Sequence, residues 1–312
     1  MQTMKAVRIH TYGGADVLAY EDAPRPTAGD GEVLIRVHAT SVNPFDCAVR
    51  AGYMSSYLTY TLPVILGTDV SGIIEEVGAG VITFKRGDSV YARGGVTRDG
   101  AYAQYAAVPA SDVAAKPPSL DHIHAAAIPH ATLTAWQALF GIANLAKGQT
   151  VLIHGAAGGV GHFAVQLAKW RGAKVIGTAS RNFDFLRGLG VDEAIDYSTT
   201  PFENAVSNVD VVLDTVGGDT LQRSWQVLSP GGILVSTVQA PSEEIAKAHG
   251  VRGAMVYSSP PIGEVLTEVA TLVSSGQIKP EVSAVLPLHE VRKAHQMVEG
   301  GHTRGKLVLQ VA

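Results

Sequence analysis

The stretch VLIHGAAGGVGHFAVQLAKW, residues 151–170, decides the fold of this chain. An apolar run, Val151 to Ile153, leads into a glycine-rich loop, which opens into a segment whose apolar residues recur with helical spacing. A strand, glycine turn and helix in this order direct unpaired backbone N–H groups and the positive end of the helix dipole at one point. We therefore predict a dinucleotide-binding loop, with the pyrophosphate at the helix N-terminus.

Two frames of the fingerprint G-x-G-x-x-G/A fit this loop imperfectly. The first frame uses Gly159, Gly161 and Ala164. The second uses Ala156, Gly158 and Gly161, with alanine in place of the first glycine. A glycine fingerprint also occurs in flexible connections, so the prediction depends on the strand and helix around it rather than on the glycines alone.

The segments after the loop alternate between strand and helix patterns. The predicted strands KVIGTAS, EAIDY, VDVVLDTVG and ILVSTV are nearly continuous apolar runs, as expected when helices cover both faces of a parallel sheet. This pattern predicts an α/β fold that contains a doubly wound parallel sheet, the Rossmann arrangement.

Residues 4 to about 117 instead show short strands separated by turns. Val33, Ile35 and Val37 alternate with Leu34, Arg36 and His38, which suits half-buried antiparallel sheet. After a Pro-Pro break, an alanine-rich stretch predicts one helix from about Ile123 to Phe140. We expect the β-like run at the end of the chain to return to the first domain. The predicted domains are therefore 1–117 with 279–312, and 118–278.

Composition and charge exclude several classes of function. The 312 residues carry 24 Lys and Arg against 28 Asp and Glu, and the net charge of −4 argues against bulk attraction to nucleic acid or to anionic membranes. We find no apolar signal core and no stretch near the ~18 apolar residues of a membrane span, so we expect a cytoplasmic protein. The single cysteine, Cys47, excludes an internal disulfide and a multi-cysteine zinc site.

The residues after the second strand of the doubly wound sheet bear on the choice of cofactor. NAD-binding proteins place an acidic residue there, about 20 positions after the loop, on the ribose 2′-OH. This chain has Ser180 and Arg181 instead. A hydroxyl beside a guanidinium favours the 2′-phosphate of NADPH. The alternative is that Arg181 is a solvated turn residue with Asp184 as its partner.

Several motifs together give the chain a specific resemblance to a known family. NPFDCAVRAG, LGTDVSGIIEEVG, TLTAWQALF, the glycine loop with its flanks, DTVGG and RGKLVLQV occur along its whole length. In their order and spacing the chain resembles the zinc-independent, zeta-crystallin-like quinone oxidoreductases of the medium-chain dehydrogenase/reductase superfamily. The resemblance implies a GroES-like β-rich catalytic domain built from both termini, a Rossmann domain, and NADPH in the cleft between them. Family members carry A-A-x-G-G-V-G in this loop, which favours the Ala156 frame.

The resemblance also implies which residues bind the cofactor. Thr134 matches a threonine at the nicotinamide half, Tyr197 matches a tyrosine near the adenosine phosphate, and Lys306 would reach the cofactor from the returning terminus. The other candidates lie in the loop or after strands, where α/β sheets place ligands: Ala156, Ala157, Gly158, Gly159, Val160, Gly161, Ser180, Arg181, Thr215, Val216, Val238, Gln239, Val256 and Tyr257. The alternative for any one of them is a place in the sheet core.

The resemblance further implies a site without metal. Zinc-dependent relatives hold their metal with cysteine and histidine at the positions of Asn43 and Thr68, and neither of these side chains is a usual zinc ligand. His122, His124 and His130 form a tempting cluster in the sequence. Turn, helix-end and surface roles are the more common explanation of such histidines, so we expect no metal.

Without zinc to polarise a carbonyl, the hydride must go to an acceptor that is already electrophilic. Quinones and α,β-unsaturated ketones or aldehydes qualify, because the incoming charge spreads over a conjugated oxygen. Asn43 is the candidate donor to that oxygen or to the nicotinamide amide, and the alternative is a turn role before Pro44. Tyr53, Tyr57 and Tyr60 lie in a segment that edges the substrate cleft in relatives, as proton donors or as pocket walls. We predict Asn43, Tyr53 and Tyr57 as catalytic residues.

The remaining polar residues of the NPFDCAVRAG motif have simpler explanations. Asp46 and Arg50 match family positions, and a structural ion pair or a helix-cap contact is the expected role. Cys47 has no histidine or basic neighbour in the sequence, so we expect it to pack rather than to act as a nucleophile.

Two expectations concern partners. The resemblance and the segment AMVYSS, predicted to be an exposed edge strand, favour a homodimer. An alternative to an enzyme is an NADPH-binding structural or regulatory protein whose turnover is incidental, since some family members serve as abundant structural proteins.

Overall fold

The chain divides into two compact units, and the computed structural model describes residues 2–257, 260–301 and 303–312. The first unit comprises Met1–His130, Pro261–Gly276 and Pro280–Ala312. The second unit comprises Ala131–Pro260 and Gln277–Lys279.

Sixteen strands and ten α-helices are found within the described residues. The strands are β1 (Thr3–Ile9), β2 (Ala19–Pro24), β3 (Glu32–Val42), β4 (Val64–Ile65), β5 (Asp69–Val77), β6 (Ser89–Arg93), β7 (Tyr105–Pro109), β8 (Val113–Ala115), β9 (Thr150–Ile153), β10 (Lys174–Ala179), β11 (Glu193–Asp196), β12 (Val209–Asp214), β13 (Leu228–Ser236), β14 (Arg252–Met255), β15 (Val282–Pro287) and β16 (Lys306–Gln310). The helices are α1 (Pro44–Ala51), α2 (His122–Ala126), α3 (Pro129–Trp136), α4 (Gly161–Trp170), α5 (Phe183–Gly188), α6 (Phe202–Ala205), α7 (Gly218–Ser224), α8 (Glu243–Ala248), α9 (Ile262–Ser274) and α10 (Val291–Glu299).

A seven-stranded sheet forms the centre of the first unit. Its order is β15-β16-β3-β5-β6-β8, with β7 also paired to β3, and a second sheet has the order β2-β1-β4. Only the β15–β16 pairing in the large sheet is parallel. Because β3 pairs with three other strands, Leu34 is as fully buried as Val33 and Ile35, and the predicted half-buried alternation is wrong at that position.

The end of the chain returns to this sheet as expected. Strand β16 pairs antiparallel with β3, with Leu307 opposite Val42 and Leu309 opposite Thr40. This pairing brings the residues at the start of β16 next to the end of β3 and the start of α1.

The second unit contains a six-stranded sheet in the order β11-β10-β9-β12-β13-β14, and all of its pairings are parallel. The order runs outward in both directions from β9, which is the arrangement of a doubly wound sheet. The predicted α/β fold, with a β-rich GroES-like domain and a Rossmann domain, is confirmed.

The division between the units differs from the predicted boundaries after residues 117 and 278. Helix α2 belongs to the first unit because Ala126 and Ala127 pack on Ala39 and Val308. Helix α9 also belongs there. A Cβ atom on Gly263 would lie 2.3 Å from the carbonyl oxygen of Ser111, so the helix approaches the backbone before β8 very closely.

The single helix predicted from Ile123 to Phe140 is wrong. Helix α2 ends at Ala126, α3 begins at Pro129, and residues Gln137–Ile142 form a π-helical turn. Proline lacks a backbone N–H and cannot continue a helix that precedes it, whereas it fits the first turn of a new one.

Candidate active site

The glycine loop of the second unit spans the gap between β9 and α4. A Cβ atom on Gly161 would lie 2.2 Å from the carbonyl oxygen of Gly155, so only glycine allows this close approach of helix and loop. Close packing of this kind is the role of the third glycine of the fingerprint, in agreement with the Ala156 frame. Gly155 itself has a φ of +63°, and a Cβ there would lie 2.6 Å from Thr215 Oγ1. The fingerprint does not include this second requirement for glycine.

A buried histidine, His154, ties the loop to the surrounding elements. Its Nδ1 lies 3.1 Å from Thr178 Oγ1 in β10, and its Nε2 lies 3.0 Å from Ser224 Oγ in α7. Thr215 Oγ1 donates to the His154 carbonyl oxygen at 2.8 Å. Burial lowers the pKa of His154 to about 4, so the ring is neutral at pH 7. Sequence reasoning missed this role, because the partners of His154 are distant in the chain.

The other predicted cofactor residues of this unit follow the carboxyl ends of parallel strands. Ser180 and Arg181 follow β10, Tyr197 follows β11, Thr215 and Val216 follow β12, Val238 and Gln239 follow β13, and Val256 and Tyr257 follow β14. Carboxyl ends of parallel strands meet at one edge of the sheet, so the structure brings these residues to that edge. Four of them are large hydrophobic residues that are 49–74% exposed: Tyr197, Val216, Val238 and Tyr257. Such surface suits the flat rings of a dinucleotide.

Two buried residues that sequence reasoning missed shape the loops after β12 and β13. The Asp214 carboxylate accepts from the backbone N–H of Val216 and Gly217 at 3.0 and 2.9 Å. It also accepts from Ser236 Oγ at 2.7 Å, which links the two loops. Gln239 Oε1 accepts from the N–H of Gly218 at 3.0 Å, so this predicted cofactor residue also holds α7 in place.

The proposed 2′-phosphate pair lies at the start of the turn into α5. Ser180 is half-buried and Arg181 is exposed. The Asp184 carboxylate, considered above as a partner of Arg181, forms an ion pair with Arg187 at 2.5 Å. Thr134 lies half-buried in α3 of the same unit.

The polar residues of the first unit gather around the fully buried carboxylate of Asp69. Its Oδ2 accepts from Ser41 Oγ and, at 2.8 Å, from Asn43 Nδ2. Its Oδ1 accepts from the backbone N–H of His130 at 2.6 Å, which satisfies an open donor in the first turn of α3. The Lys306 ammonium group lies 3.6 Å from Oδ2. We call Ser41, Asn43, Asp69, His130 and Lys306, together with Thr68, the Asp69 cluster.

Hydrogen bonds to both its oxygen and its nitrogen fix the orientation of the Asn43 amide within this cluster. Oδ1 accepts a hydrogen bond from Lys306 Nζ, while Nδ2 donates to Asp69 Oδ2 and, at 3.3 Å, to Thr68 Oγ1. An amide nitrogen has two N–H bonds, so its donor capacity is used within the protein. The predicted donation from Asn43 to a substrate or nicotinamide oxygen would require one of these bonds to break.

Lys306, which is predicted to reach the cofactor, is buried within the first unit, and its role toward the cofactor remains a prediction. Its side chain is only 3% exposed, and Nζ donates to Asn43 Oδ1 and to the Val42 carbonyl oxygen. Burial lowers the pKa of Lys306, and the neighbouring Asp69 carboxylate opposes that shift. The ammonium group therefore contacts the Asp69 cluster within the first unit.

Comparisons with known proteins agree with both units. Residues 29–118 match the family model described as alcohol dehydrogenase GroES-like domain, and residues 189–309 match zinc-binding dehydrogenase. The NAD(P)H oxidoreductase RTN4IP1, mitochondrial, of Danio rerio is 34% identical, covering 99% of this chain and 91% of the relative. The quinone oxidoreductase structure from Coxiella burnetii is 36% identical over 100% of both chains, with a TM-score of 0.91.

The chain belongs to the quinone oxidoreductase group of the medium-chain dehydrogenase/reductase superfamily. A further member, the Escherichia coli quinone oxidoreductase, was crystallised as a complex with NADPH. It is 28% identical, with a TM-score of 0.89 over 98% of this chain and 100% of that chain.

The tyrosine segment of this quinone oxidoreductase-group chain follows α1. Tyr53 and Tyr57, predicted as catalytic, are 78% and 75% exposed. Tyr60 is half-buried, its hydroxyl donates to the Val96 carbonyl oxygen, and burial raises its pKa to about 12. Tyr60 lines a pocket together with Phe45 and Thr68. The structure therefore separates Tyr60, a pocket wall, from the two exposed tyrosines.

Asp46 and Arg50 do not form the ion pair considered from the sequence. The Asp46 carboxylate accepts from the Asn43 N–H at 2.8 Å, which caps α1 as expected for the helix-cap alternative. Arg50 instead pairs with Glu299 in α10. The pKa of Asp46 is raised to about 7, mainly because the carboxyl group is buried.

Cys47 is buried and packs as expected, although a histidine is its neighbour in space. Its Sγ lies 3.4 Å from Nδ1 of His295, a residue 248 positions away in the chain. Arg50 Nη1 also lies 3.2 Å from this Nδ1, and a guanidinium only donates, so Nε2 carries the ring proton and faces Tyr102 Oη at 3.2 Å. Burial raises the pKa of the Cys47 thiol to about 12, which opposes thiolate formation.

The three histidines considered as metal ligands have different partners. His122 stacks on His38 and lies 2.8 Å from Ser71 Oγ, and His124 pairs with Asp121. His130 Nδ1 lies 3.3 Å from Thr68 Oγ1. No group of three His, Cys, Asp or Glu side chains suited to a metal ion occurs among residues 2–257, 260–301 and 303–312.

Two further predictions concern the whole chain. In the part that the structure describes, no helix has the length and apolar character to cross a membrane. Strand β14 lies at the edge of the six-stranded sheet. Of the predicted edge strand AMVYSS it contains Ala254 and Met255, Val256 and Tyr257 follow it, and the last two residues are outside the described part. The homodimer and the cytoplasmic location remain predictions.

Proposed function

We propose that this chain is an NADPH-dependent oxidoreductase that transfers a hydride to a quinone or to an α,β-unsaturated ketone or aldehyde, without a zinc ion. The observation that most supports the absence of zinc is the buried Lys306 ammonium group, which donates a hydrogen bond to Asn43 and lies 3.6 Å from the Asp69 carboxylate. Asn43 and Thr68 occupy the positions at which zinc-dependent relatives hold their metal. Neither side chain is a usual zinc ligand, and the Asp69 carboxylate beside them is already paired with the Lys306 ammonium group.

The second unit has the features that NADPH requires. The loop backbone lies so close to α4 that a Cβ atom on Gly161 would lie 2.2 Å from the Gly155 carbonyl oxygen. A helix N-terminus that follows such a loop is a favourable place for a pyrophosphate. Ser180 and Arg181 supply a hydroxyl and a guanidinium for the 2′-phosphate. The NADPH complex of the Escherichia coli relative supports the same cofactor.

Bound NADPH supplies a hydride, and the protein supplies positioning and hydrogen bonds. The Asp69 cluster combines hydroxyl groups with an amide and an ion pair that are bonded to one another, rather than a Lewis acid. Such groups stabilise charge that develops on a conjugated oxygen but polarise a plain ketone weakly. Quinones and activated alkenes are therefore the acceptors that fit the cluster best.

The proposal is tested by following NADPH oxidation with a panel of quinones, enones, enals and enoyl thioesters. Steady oxidation with at least one conjugated acceptor, and none with saturated ketones, is expected. Binding of NADPH without turnover of any acceptor would instead identify an NADPH-binding protein. Tightly bound zinc in equal molar amount by elemental analysis would contradict the metal-free site.

The preference for NADPH gives a sharper test at Arg181. We expect Arg181→Ala to raise the Michaelis constant for NADPH by about 10- to 100-fold, since a charge-assisted hydrogen bond is lost, and to leave that for NADH nearly unchanged. Arg187→Ala is the matched control, because Arg187 is an exposed arginine of α5 that pairs with Asp184. Equal effects of Arg181→Ala on both cofactors would contradict the assignment.

A further inference from the structure

The hydroxyl of Thr68 lies at the meeting point of the Asp69 cluster and the pocket of the first unit. Thr68 lines this pocket beside Phe45, Asp46 and Tyr60. The Tyr60 hydroxyl already donates to a backbone carbonyl, and the Asp46 carboxylate already accepts from the Asn43 N–H. Among these four side chains, Thr68 is the one that offers a hydroxyl not committed to a backbone partner.

Two nitrogen atoms approach the oxygen of Thr68. Asn43 Nδ2 lies at 3.3 Å and can only donate, and His130 Nδ1 lies at 3.3 Å. Burial lowers the pKa of His130 to about 3, so its ring is neutral and either nitrogen can carry the proton. A hydroxyl oxygen has two lone pairs and one proton. When both nitrogens donate, the lone pairs are occupied and the proton is left to point at a third atom.

We propose that the Thr68 hydroxyl donates a hydrogen bond to the carbonyl oxygen of the acceptor. In this arrangement Asn43 Nδ2 and His130 Nδ1 both donate to Thr68 Oγ1. Lys306 is a positioning residue in this arrangement. Its ammonium group holds Asn43 Oδ1 and thereby turns Nδ2 toward Thr68 and Asp69. The inference rests on the proposed function and deepens it, because it names the group that touches the acceptor.

The role of this hydrogen bond follows from the electron balance of the reduction. In an enone, the hydride forms a C–H bond at the β-carbon, the alkene electrons move toward the carbonyl, and negative charge develops on its oxygen. A proton from solvent then completes the α-carbon, so that one NADPH is oxidised for each enone reduced. The Thr68 proton stays on Thr68 throughout. Its hydrogen bond strengthens as the charge develops, which lowers the barrier more than it strengthens binding.

A spectroscopic experiment tests the contact without turnover. An enone is bound to the full chain in the presence of NADP⁺, and its carbonyl stretch is recorded by infrared difference spectroscopy. The stretch is expected at lower frequency than in solution for the wild-type protein and for Thr68→Ser. It is expected to move back toward the solution value in Thr68→Val, which keeps the shape but lacks the hydroxyl. A band that is the same in wild type and Thr68→Val would overturn the proposal.

Kinetics provide a second and independent readout. Thr68→Val is expected to lower kcat for the enone by about 100-fold, the size found for loss of one oxyanion donor, with a smaller change in KM. Thr68→Ser should retain most of the rate. Ser71→Ala serves as the control, because it removes a buried hydroxyl of β5 that bonds to His122. NADPH affinity and thermal unfolding report whether each variant is folded.

The outcomes separate this inference from the proposed function. A wild-type protein that oxidises NADPH with no conjugated acceptor overturns the proposed function. Normal wild-type turnover with a Thr68→Val variant that is folded and equally fast overturns only the role of Thr68.

Discussion

Lys306 and Asp69 form an ion pair that is almost completely removed from solvent, at 3% and 0% exposure of their side chains. Removing one partner of such a pair leaves an uncompensated charge in a medium of low polarity. We expect Lys306→Met to lower the free energy of unfolding by about 3–5 kcal/mol, measured by urea denaturation.

The double variant Lys306→Met with Asp69→Asn is the matched control. It removes both charges and should recover a large part of the stability lost in Lys306→Met. If the single variant were as stable as the wild type, the pairing of Lys306 with Asp69 would not contribute to stability.

Sequence patterns could not predict the partners within the Asp69 cluster. The motifs pointed to Asn43, Thr68 and Lys306 separately, but the hydrogen bond between Asn43 and Lys306 joins residues 263 positions apart. The same holds for Cys47 and His295. The first contact depends on how β16 pairs with β3 and the second on how α10 packs near α1, and no local propensity encodes either arrangement.

At the scale of elements, the unit of β9, glycine loop and α4 depends on two glycines. We expect Gly161→Ala to lower the free energy of unfolding by roughly 1–3 kcal/mol and to weaken NADPH binding, because the added methyl group would displace the loop backbone. Chemical denaturation and titration calorimetry measure the two effects.

Gly188→Ala in α5 is the control for this substitution. A Cβ atom there meets no atom within 4 Å, so the variant should gain about 0.5–1 kcal/mol from better helix propensity and bind NADPH normally. Unchanged NADPH affinity in Gly161→Ala would show that the close approach of α4 to the loop is not needed for the cofactor.

Elements with a strong local sequence pattern were predicted correctly. The bounds and positions of elements that depend on contacts distant in the chain were not. The β9–loop–α4 unit follows from apolar periodicity and glycine placement alone. The single helix over 123–140 failed because Pro129 starts a new helix whose first turn is held by the Asp69 carboxylate. The position of α9 in the first unit depends on the close approach of Gly263 to the backbone of Ser111. No sequence pattern within α9 predicts this contact.

At the scale of the whole molecule, buried histidines make stability depend on pH. Burial lowers the pKa of His130 and His295 to about 3 and that of His154 to about 4, from 6.5. The folded protein therefore binds fewer protons than the unfolded chain between about pH 6.5 and 3, and the stability contributed by these groups is lost as the pH falls through that window. Asp46 opposes this, since its raised pKa of about 7 makes its contribution fall as the pH rises from 3.8 to 7.

Three histidines outweigh one carboxyl, so we expect the free energy of unfolding to decrease between pH 7 and pH 5 in urea titrations. His154→Asn removes one titrating ring from the second unit and should flatten the curve. A slope identical to that of the wild type would show that the pKa of His154 is the same in the folded and the unfolded chain.

The first unit takes its strands from both sides of the second unit along the chain, and this has a consequence for biosynthesis. The last of the six parallel strands ends at Met255, whereas β16 begins at Lys306, so the ribosome synthesises all six strands before β16. Domains fold as units during translation. The nucleotide-binding sheet can thus form before the β-rich unit receives β16, and the Lys306 ammonium group that pairs with Asp69 is synthesised after that sheet.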